Sequence, residues 1–284
     1  MSASLIPTNT LRTPAGPLAY IDVGDGSPVV FLHGNPTSGH LYRHLIAALR
    51  SDHRCIAPDY LGFGRSAAPP DFSYRPAAHA TLIEILLRRL ALTDITLVLH
   101  DWGGPIGLSY ALRHPDRVRR LVLMNTWAWP LTHRPLIQCA SRLLATSAGR
   151  IAVERFNAFA RMIMPLTTGP GAPRPSDWIQ RYATALDTRV RRRACWEFAR
   201  ALHAEAEWLR SLWTHRDALR GRPTLLCWGL ADPAFGHVAC LQRWQRLLPS
   251  ATVHRCTGVG HYVPEELGST LIGIVRSFFR EAPI

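Results

Sequence analysis

The sequence predicts an α/β fold, in which a mostly parallel, eight-stranded β-sheet carries helices on both faces and a helical cap is inserted into it. Short apolar runs alternate with amphipathic helical patterns along most of the 284 residues, and this alternation is typical of a parallel sheet. The alternation stops only in a tryptophan-rich stretch in the second half of the chain, which indicates the insertion. With 47% hydrophobic and 19% charged residues, the chain can build one large core.

Runs of aliphatic and β-branched residues place the strands, and patterns with a helical period place the helices between them. The predicted strands are residues 18–23, 28–32, 54–58, 95–99, 121–124, 224–228 and 252–255, the first being strand one or two. The predicted helices are residues 41–49, 77–92, 105–113, 238–248 and 267–279. We therefore predict a core made of residues 1–129 and 220–284, with a helical cap formed by residues 130–219.

The charge and cysteine content exclude several classes of protein. The net charge is +13, and all 33 basic residues are arginine. Such a face attracts nucleic acids or anionic membranes, but no aromatic or glycine interleaving of a nucleic-acid module accompanies it. We therefore expect arginine-decorated helices in solvent, with no nucleic-acid partner and no stable membrane insertion. The six cysteines are scattered without metal-site or disulfide spacing.

The beginning of the sequence bears on location. Residues 1–19 contain no apolar core of signal-peptide length, and no run of 18 apolar residues occurs. A cytoplasmic location is expected.

Asp101 lies where a sharp turn joins an apolar strand to a helix. Gly103 and Gly104 permit a tight turn and close packing, and the N–H groups at the helix start keep a carboxylate ionised. An aspartate that merely caps the helix is the simpler interpretation, but a cap requires neither Trp102 nor two glycines. The pattern favours a nucleophilic carboxylate.

Two further residues follow the ends of the last two predicted strands. Asp232 comes after residues 224–228, and His261 comes after residues 252–255. Because residues just beyond the carboxyl ends of parallel strands line one crevice, both are expected to meet Asp101 there. The order nucleophile, acid, histidine predicts a catalytic triad.

The loop at residues 33–36, His-Gly-Asn-Pro, supplies another element of the site. The backbone N–H of Asn35 is expected to join that of Trp102 in holding an oxyanion. The Asn35 amide and the Trp102 indole are neutral donors, which suit a large, weakly hydrated anion such as chloride or bromide.

These motifs together resemble the haloalkane dehalogenases of the α/β-hydrolase fold. The resemblance rests on residues 33–38 (HGNPTS), 59–66 (DYLGFGRS) and 100–104 (HDWGG), and the order of elements extends it over nearly the whole chain outside the cap. It implies that Asp101 displaces halide to form an alkyl ester, which water then hydrolyses with His261 as base. No metal or organic cofactor is implied.

The acid is the point at which this chain departs from many members of that family, which place it after the sixth strand. Asn125 stands there and cannot serve. The resemblance to a subgroup with an aspartate after the seventh strand therefore implies that Asp232 is the acid. We expect Asn125→Asp alone to have little effect.

The same subgroup is similar to the β-lactone decarboxylases of long-chain olefin biosynthesis, which match dehalogenases at every catalytic position. Residues 125–131 (NTWAWPL) and 156–159 (FNAF) share this similarity. A strained lactone and a halocarbon both offer Asp101 an electrophilic carbon, so the motifs leave both functions open.

Two other functions are less well supported. Epoxide hydrolases resemble the chain at Asp101 but usually use two cap tyrosines, and the predicted cap contains only Tyr182. A hydrolase fold that merely binds a ligand has no need to retain Asp101, Asp232 and His261 together.

The substrate pocket is expected beneath the cap, with a lining drawn from a subset of the cap's aromatic residues, although cap-to-core packing explains each one singly. The candidates are Trp127, Trp129, Phe156, Phe159, Trp178, Trp196, Trp208 and Trp213. The expected partners are a small apolar substrate and a halide ion. A homo-oligomer and a biosynthetic partner enzyme both remain open.

Overall fold

A computed structural model describes residues 7–172 and 176–281 and contains one eight-stranded sheet in the order β1-β2-β4-β3-β5-β6-β7-β8. Strands β3 to β8 run parallel, whereas β1 and β2 are antiparallel to each other and β2 is antiparallel to β4. The strands are β1 Thr8–Thr13, β2 Gly16–Val23, β3 Ser27–Leu32, β4 His53–Pro58, β5 Ile95–His100, β6 Val118–Met124, β7 Thr224–Gly229 and β8 Thr252–Cys256.

Helices connect the strands of the core and fill the chain between β6 and β7. The core helices are α1 Arg43–Leu49, α2 Pro76–Arg89, α3 Gly103–Arg113, α10 Val238–Leu247, α11 Val263–Leu267 and α12 Ser269–Glu281. Those between β6 and β7 are α4 Pro135–Ala145, α5 Ser147–Phe156, the π-helix Phe159–Ile163, α6 Met164–Thr167, α7 Ser176–Ala185, α8 Arg189–Ala204 and α9 Ala206–Thr214. Residues 125–172 and 176–223 contribute no strand to the sheet.

The predicted elements agree with the observed ones to within about three residues, with two exceptions. Strand β1 was not predicted, because an exposed edge strand lacks the apolar run that marks a buried one. The short helix α11, which ends at Leu267, was not predicted, and the predicted helix 267–279 corresponds to α12, which begins at Ser269. Gly268 between them has φ of 51°, a left-handed conformation that interrupts the helix.

Alternate residues of each central strand face opposite sides of the sheet and enter two hydrophobic layers. In β3, Val30 and Leu32 pack into the layer that includes α2 and α3, while Val29 and Phe31 pack into the layer with α1 and α12. The sheet is therefore covered on both faces, and its carboxyl edge is the side on which a site can form. None of the helices in the described ranges has the length and apolarity needed to cross a membrane.

Candidate active site

Asp101 directly follows β5 and precedes α3, with φ of 50°. Neighbouring atoms leave no room for a side chain at Gly103 or Gly104. A Cβ on Gly103 would lie 2.0 Å from the Leu32 carbonyl oxygen. On Gly104 it would lie 1.7 Å from the Thr126 hydroxyl oxygen, which itself donates to the Asp101 carbonyl at 2.6 Å. The two glycines thus hold the turn tightly against β3 and the end of β6.

The Asp101 carboxylate is buried and is held from the β3 side. The backbone N–H of Asn35 donates to Oδ2 at 2.7 Å, and the backbone N–H of Trp102 also binds the carboxylate. A Cβ on Gly34 would lie 2.3 Å from the same Oδ2, so only glycine fits there. Burial raises the pKa of Asp101, while His261 and these two N–H groups oppose the increase.

His261 lies between the two aspartates. Its Nδ1 is 2.8 Å from Asp232 Oδ2, and its Nε2 is 3.8 Å from Asp101 Oδ1. The first distance is a hydrogen bond, and the second is too long for one. The imidazole is therefore oriented by Asp232, with Nε2 directed toward Asp101.

The charge of His261 and those of Asp101 and Asp232 shift one another's pKa values toward the ionised forms. Burial alone would lower the pKa of His261, but Asp232 and then Asp101 raise it to about 9. Burial would raise the pKa of Asp232, but the charge and hydrogen bond of His261 lower it. The free site therefore favours an imidazolium between two carboxylates.

Asn125 holds the acid in place, a contact that the sequence did not reveal. Its amide nitrogen donates to Asp232 Oδ2 at 2.8 Å and to the Gly229 carbonyl at 2.9 Å, and its oxygen accepts from the Gly229 N–H at 2.7 Å. This contact changes the expectation for Asn125→Asp, which would set a second carboxylate against Asp232 and is therefore expected to impair the site.

Asn35 and Trp102, the proposed halide donors, both line the cavity in front of Asp101. The Asn35 amide nitrogen donates to the Cys195 carbonyl of α8 at 3.1 Å, which uses one of its two hydrogens. No described residue accepts a hydrogen bond from the Trp102 indole. One N–H from each side chain is therefore left for a ligand.

The cavity has a volume of about 380 Å³ and lies between the carboxyl edge of the sheet and the helices that follow β6. Its lining is mostly apolar. From the core it is formed by Asn35, Asp101, Trp102, Pro233, Ala234, Phe235, His261 and Tyr262, and from the helices by Leu136, Ile137, Ala140, Ser141, Leu144, Phe159, Ile163, Thr167, Ala199 and Leu202.

Of the aromatic residues proposed as lining, Phe159 contacts the cavity. Phe156 is not among the lining residues and is 61% exposed, so its proposed place in the lining is wrong. It ends α5, where the left-handed Asn157 turns the chain before the π-helix.

The tryptophans form a second layer behind the lining. Trp127 stacks on Phe235 at 4.3 Å, and Trp178 packs on Tyr262 at 5.4 Å. The indole of Trp196 donates to the Leu144 carbonyl at 2.7 Å. The remaining three, likewise outside the lining, pack into the core cluster: Trp129, Trp208 and Trp213.

Helix α4 contributes five lining residues that were not predicted. They recur at Ile137, Ser141 and Leu144, with Leu136 and Ala140 alongside, and this is the spacing of one helix face. A helical period was present in the sequence, but it could not show whether that face met a cavity or the core.

Hydrogen bonds join residues 258–266, which carry His261 and are called the histidine loop below, to the end of α6 and the residues that follow it. The His261 N–H donates to the Thr167 carbonyl at 2.8 Å. The buried Glu266 Oε2 accepts from the N–H groups of Gly169, at 2.9 Å, and Gly260, at 2.7 Å. One carboxylate thus fixes two separate segments next to the catalytic histidine.

Comparison with known proteins finds relatives over most of the chain. Residues 27–266 match the family model of the α/β hydrolase fold. Haloalkane dehalogenase 2 of Mycobacterium bovis is 35% identical over 253 residues, covering 88% of this chain and 87% of that protein. The cis-3-alkyl-4-alkyloxetan-2-one decarboxylase of Xanthomonas campestris is 32% identical over 297 residues, covering 99% and 98%.

A search of solved structures also finds a haloalkane dehalogenase with the same overall fold. The crystal structure of haloalkane dehalogenase DatA from Agrobacterium tumefaciens superimposes with a TM-score of 0.85 at 25% identity, over 100% of each chain. The likeness thus includes the helices between β6 and β7 as well as the core.

Proposed function

Because the chain belongs to the α/β-hydrolase family, in the group that contains haloalkane dehalogenases and oxetanone decarboxylases, we propose that it hydrolyses carbon–halogen bonds of apolar alkanes. One observation carries the proposal. Asp101 Oδ2 is held by the Asn35 N–H, while Oδ1 is 3.8 Å from His261 Nε2 in an apolar cavity. A carboxylate in that position has one oxygen free to attack and one already stabilised.

In the first step, Asp101 Oδ1 attacks a primary or secondary carbon in line with its carbon–halogen bond. A carbon–oxygen bond forms, and the halide leaves with the bonding electrons. The free N–H of Asn35 and the indole N–H of Trp102 receive the halide. The apolar lining desolvates the carboxylate and so favours the attack.

In the second step, water attacks the ester carbonyl carbon of Asp101 while His261 Nε2 removes a proton. The charge that develops on Oδ2 is stabilised by the Asn35 N–H, which held this oxygen before the reaction, and by the neighbouring N–H of Trp102. Collapse of this intermediate releases the alcohol and restores Asp101. Alkyl halide and water thus give alcohol, halide and a proton.

The charges of the site make the two steps compatible. In the free site, Asp101 helps to raise the pKa of His261, which favours an imidazolium that cannot act as a base. Ester formation removes the charge of Asp101, and the pKa of His261 falls. The base therefore becomes available when the intermediate has formed, while Asp232 still orients it.

The test is to trap the intermediate. His261→Gln should form the ester with 1-bromobutane but fail to hydrolyse it, so intact-mass spectrometry should detect protein carrying one butyl group. The double variant Asp101→Asn/His261→Gln is the control and should remain unmodified. A His261→Gln protein that releases bromide catalytically, or never becomes alkylated, would refute the mechanism.

A second function, decarboxylation of a β-lactone, is favoured by the end-to-end match to the Xanthomonas decarboxylase. An oxetan-2-one also offers Asp101 an electrophilic carbon, but its conversion to alkene and carbon dioxide consumes no water. Offering both a brominated alkane panel and a cis-β-lactone with long alkyl chains separates the functions. Olefin formation far faster than bromide release would replace the dehalogenase proposal with the decarboxylase one.

A further inference from the structure

The outer surface of the helices between β6 and β7 is unusually apolar. Seven large apolar side chains of the described residues are strongly exposed, and six of them lie between residues 136 and 166. These six are Leu136, Leu143, Ile151, Phe156, Met162 and Leu166. Single exposed apolar residues are ordinary, but such a concentration marks an interaction surface.

Three of the four elements that carry this surface, α4, the π-helix and α6, also line the cavity, whereas α5, with Ile151 and Phe156, does not. Ile137 and Ser141 of α4 face the cavity, as do Phe159 and Ile163 of the π-helix. The exposed side chains on the same helices therefore point away from the core. Leu136 belongs to both sets: it is 84% exposed and also lines the cavity, so it lies at the cavity mouth.

Three arginines adjoin these apolar side chains in sequence: Arg142 precedes Leu143, Arg155 precedes Phe156, and Arg161 precedes Met162. All three are exposed, and their guanidinium groups form neither a salt bridge nor a hydrogen bond with any described residue.

Negative charge is nearly absent from the same stretch. Between residues 134 and 172 the one carboxylate is Glu154, which is buried and paired with Arg150 at 2.6 Å. The neighbouring Glu197 of α8 is also buried and is paired with Arg200 at 2.7 Å. The face therefore presents apolar groups and unneutralised positive charge together.

A shallow depression of about 550 Å³ runs along the outer side of α4 within this face. Its lining combines Pro135, Cys139 and Leu143 with Arg142 and with the polar residues Thr132, Gln138 and Thr146.

We propose that this apolar–arginine face, comprising the six exposed apolar residues with Arg142, Arg155 and Arg161, docks the enzyme reversibly on the surface of anionic membranes. Apolar side chains enter the boundary between headgroups and acyl chains, and guanidinium groups bind phosphate. The cavity mouth at Leu136 then opens toward the membrane. The docking does not depend on the proposed reaction, because it involves neither Asp101 nor His261.

The test is co-sedimentation of the full chain with phosphatidylcholine vesicles that contain either no or about one third phosphatidylglycerol. Binding should require the anionic lipid and weaken between 0.1 and 0.5 M salt, since exposed charges are screened over about 10 Å at 0.1 M. The triple variant Arg142→Gln/Arg155→Gln/Arg161→Gln should bind on the order of 100-fold more weakly. The triple variant Leu143→Gln/Met162→Gln/Leu166→Gln should also lose binding, with bromide release unchanged.

The matched control removes the same charge from the core, at three other exposed arginines. It is Arg50→Gln/Arg88→Gln/Arg89→Gln. It should bind within about threefold of the parent, since only charges near the lipid surface contribute strongly. An equal loss of vesicle binding in both triple arginine variants would show that net charge alone attracts the protein, and it would overturn the proposal. A parent protein that does not bind anionic vesicles would overturn it as well. A dimer in light scattering that the leucine–methionine triple dissociates would assign the face to a second copy instead.

Discussion

The two walls of the cavity are built in different ways. On the core side, Asp101, Asp232 and His261 follow three strands, and hydrogen bonds fix each of them. On the helical side the lining is almost wholly apolar, and its one serine, Ser141, turns its hydroxyl to the Ala199 carbonyl at 2.7 Å. From this difference we infer that the core wall determines the reaction, whereas the helical wall determines which substrates reach it.

The largest effect should come from the core wall at the acid. Asp232→Asn removes the charge that orients and supports His261, so hydrolysis of the alkyl-enzyme should slow by about 10⁴-fold while alkylation persists. Rapid-quench kinetics of the two steps measures this split. Asp116→Asn, at an exposed aspartate, is the control. Hydrolysis at the parental rate in Asp232→Asn would place the acid elsewhere.

The next largest effect should come from the glycine beneath the nucleophile. A Cβ on Gly34 meets the Asp101 carboxylate, so Gly34→Ala should displace Oδ2 from the Asn35 N–H and reduce kcat by about 10²-fold to 10³-fold. Gly273→Ala is the control, because a Cβ there meets nothing within 4 Å. A Gly34→Ala enzyme with parental kcat and an unchanged melting temperature would contradict this account of the core wall.

A change of pH tests the same wall without a mutation. His261 has a pKa of about 9 in the free site, partly because Asp101 is charged, and its neutral form is the base. Hydrolysis should therefore rise with pH through the pKa of His261 in the ester, and this midpoint should lie below that of the free enzyme, because the ester removes the charge of Asp101. Single-turnover decay and an NMR titration of His261 give the two midpoints. Coincident midpoints would show that the charge of Asp101 does not support His261.

The smallest effect should come from the helical wall. Phe159→Ala enlarges the cavity and should shift the ratio of kcat/KM between long and short bromoalkanes by about fivefold to tenfold. Alkyl-enzyme hydrolysis should stay within about twofold, since no triad contact changes. Phe156→Ala is the matched control, three positions away and outside the lining. If Phe159→Ala slowed hydrolysis and left selectivity unchanged, the division between the walls would fail.

The core wall could be predicted from the sequence because its residues are tied to short local patterns. Asp101 follows an apolar run and precedes two glycines, and the ends of parallel strands converge whatever lies between them. Asp232 and His261 could therefore be expected near Asp101 despite their separation in sequence. The contact between Asn125 and Asp232 could not be predicted, because the sequence does not show which group an asparagine amide will bind.

The lining of the helical wall could not be predicted. A helical sequence pattern shows which residues share a face of the helix, but not what that face contacts. The cap candidates were chosen for aromatic character, yet three of the six tryptophans lie behind the lining and contact it, and the other three pack into the core cluster. The lining of α4 consists instead of small and aliphatic residues, such as Ala140 and Leu144, which occur equally in an ordinary core. Only the packing of α4 over the sheet edge decides which face meets the cavity.

The hydrogen bonds of Glu266 and the histidine loop have a consequence for transplanting substrate preference between relatives. Because Gly169 and Thr167 are bonded directly to the histidine loop, the stretch from β6 to β7 is not an independent module that can be exchanged whole. In a chimera that took these helices from another enzyme, Gly260 and His261 would lie against residues that come from a different protein. A graft that ends before Thr167, or that carries residues 258–266 along with it, would take both sides of these hydrogen bonds from one parent.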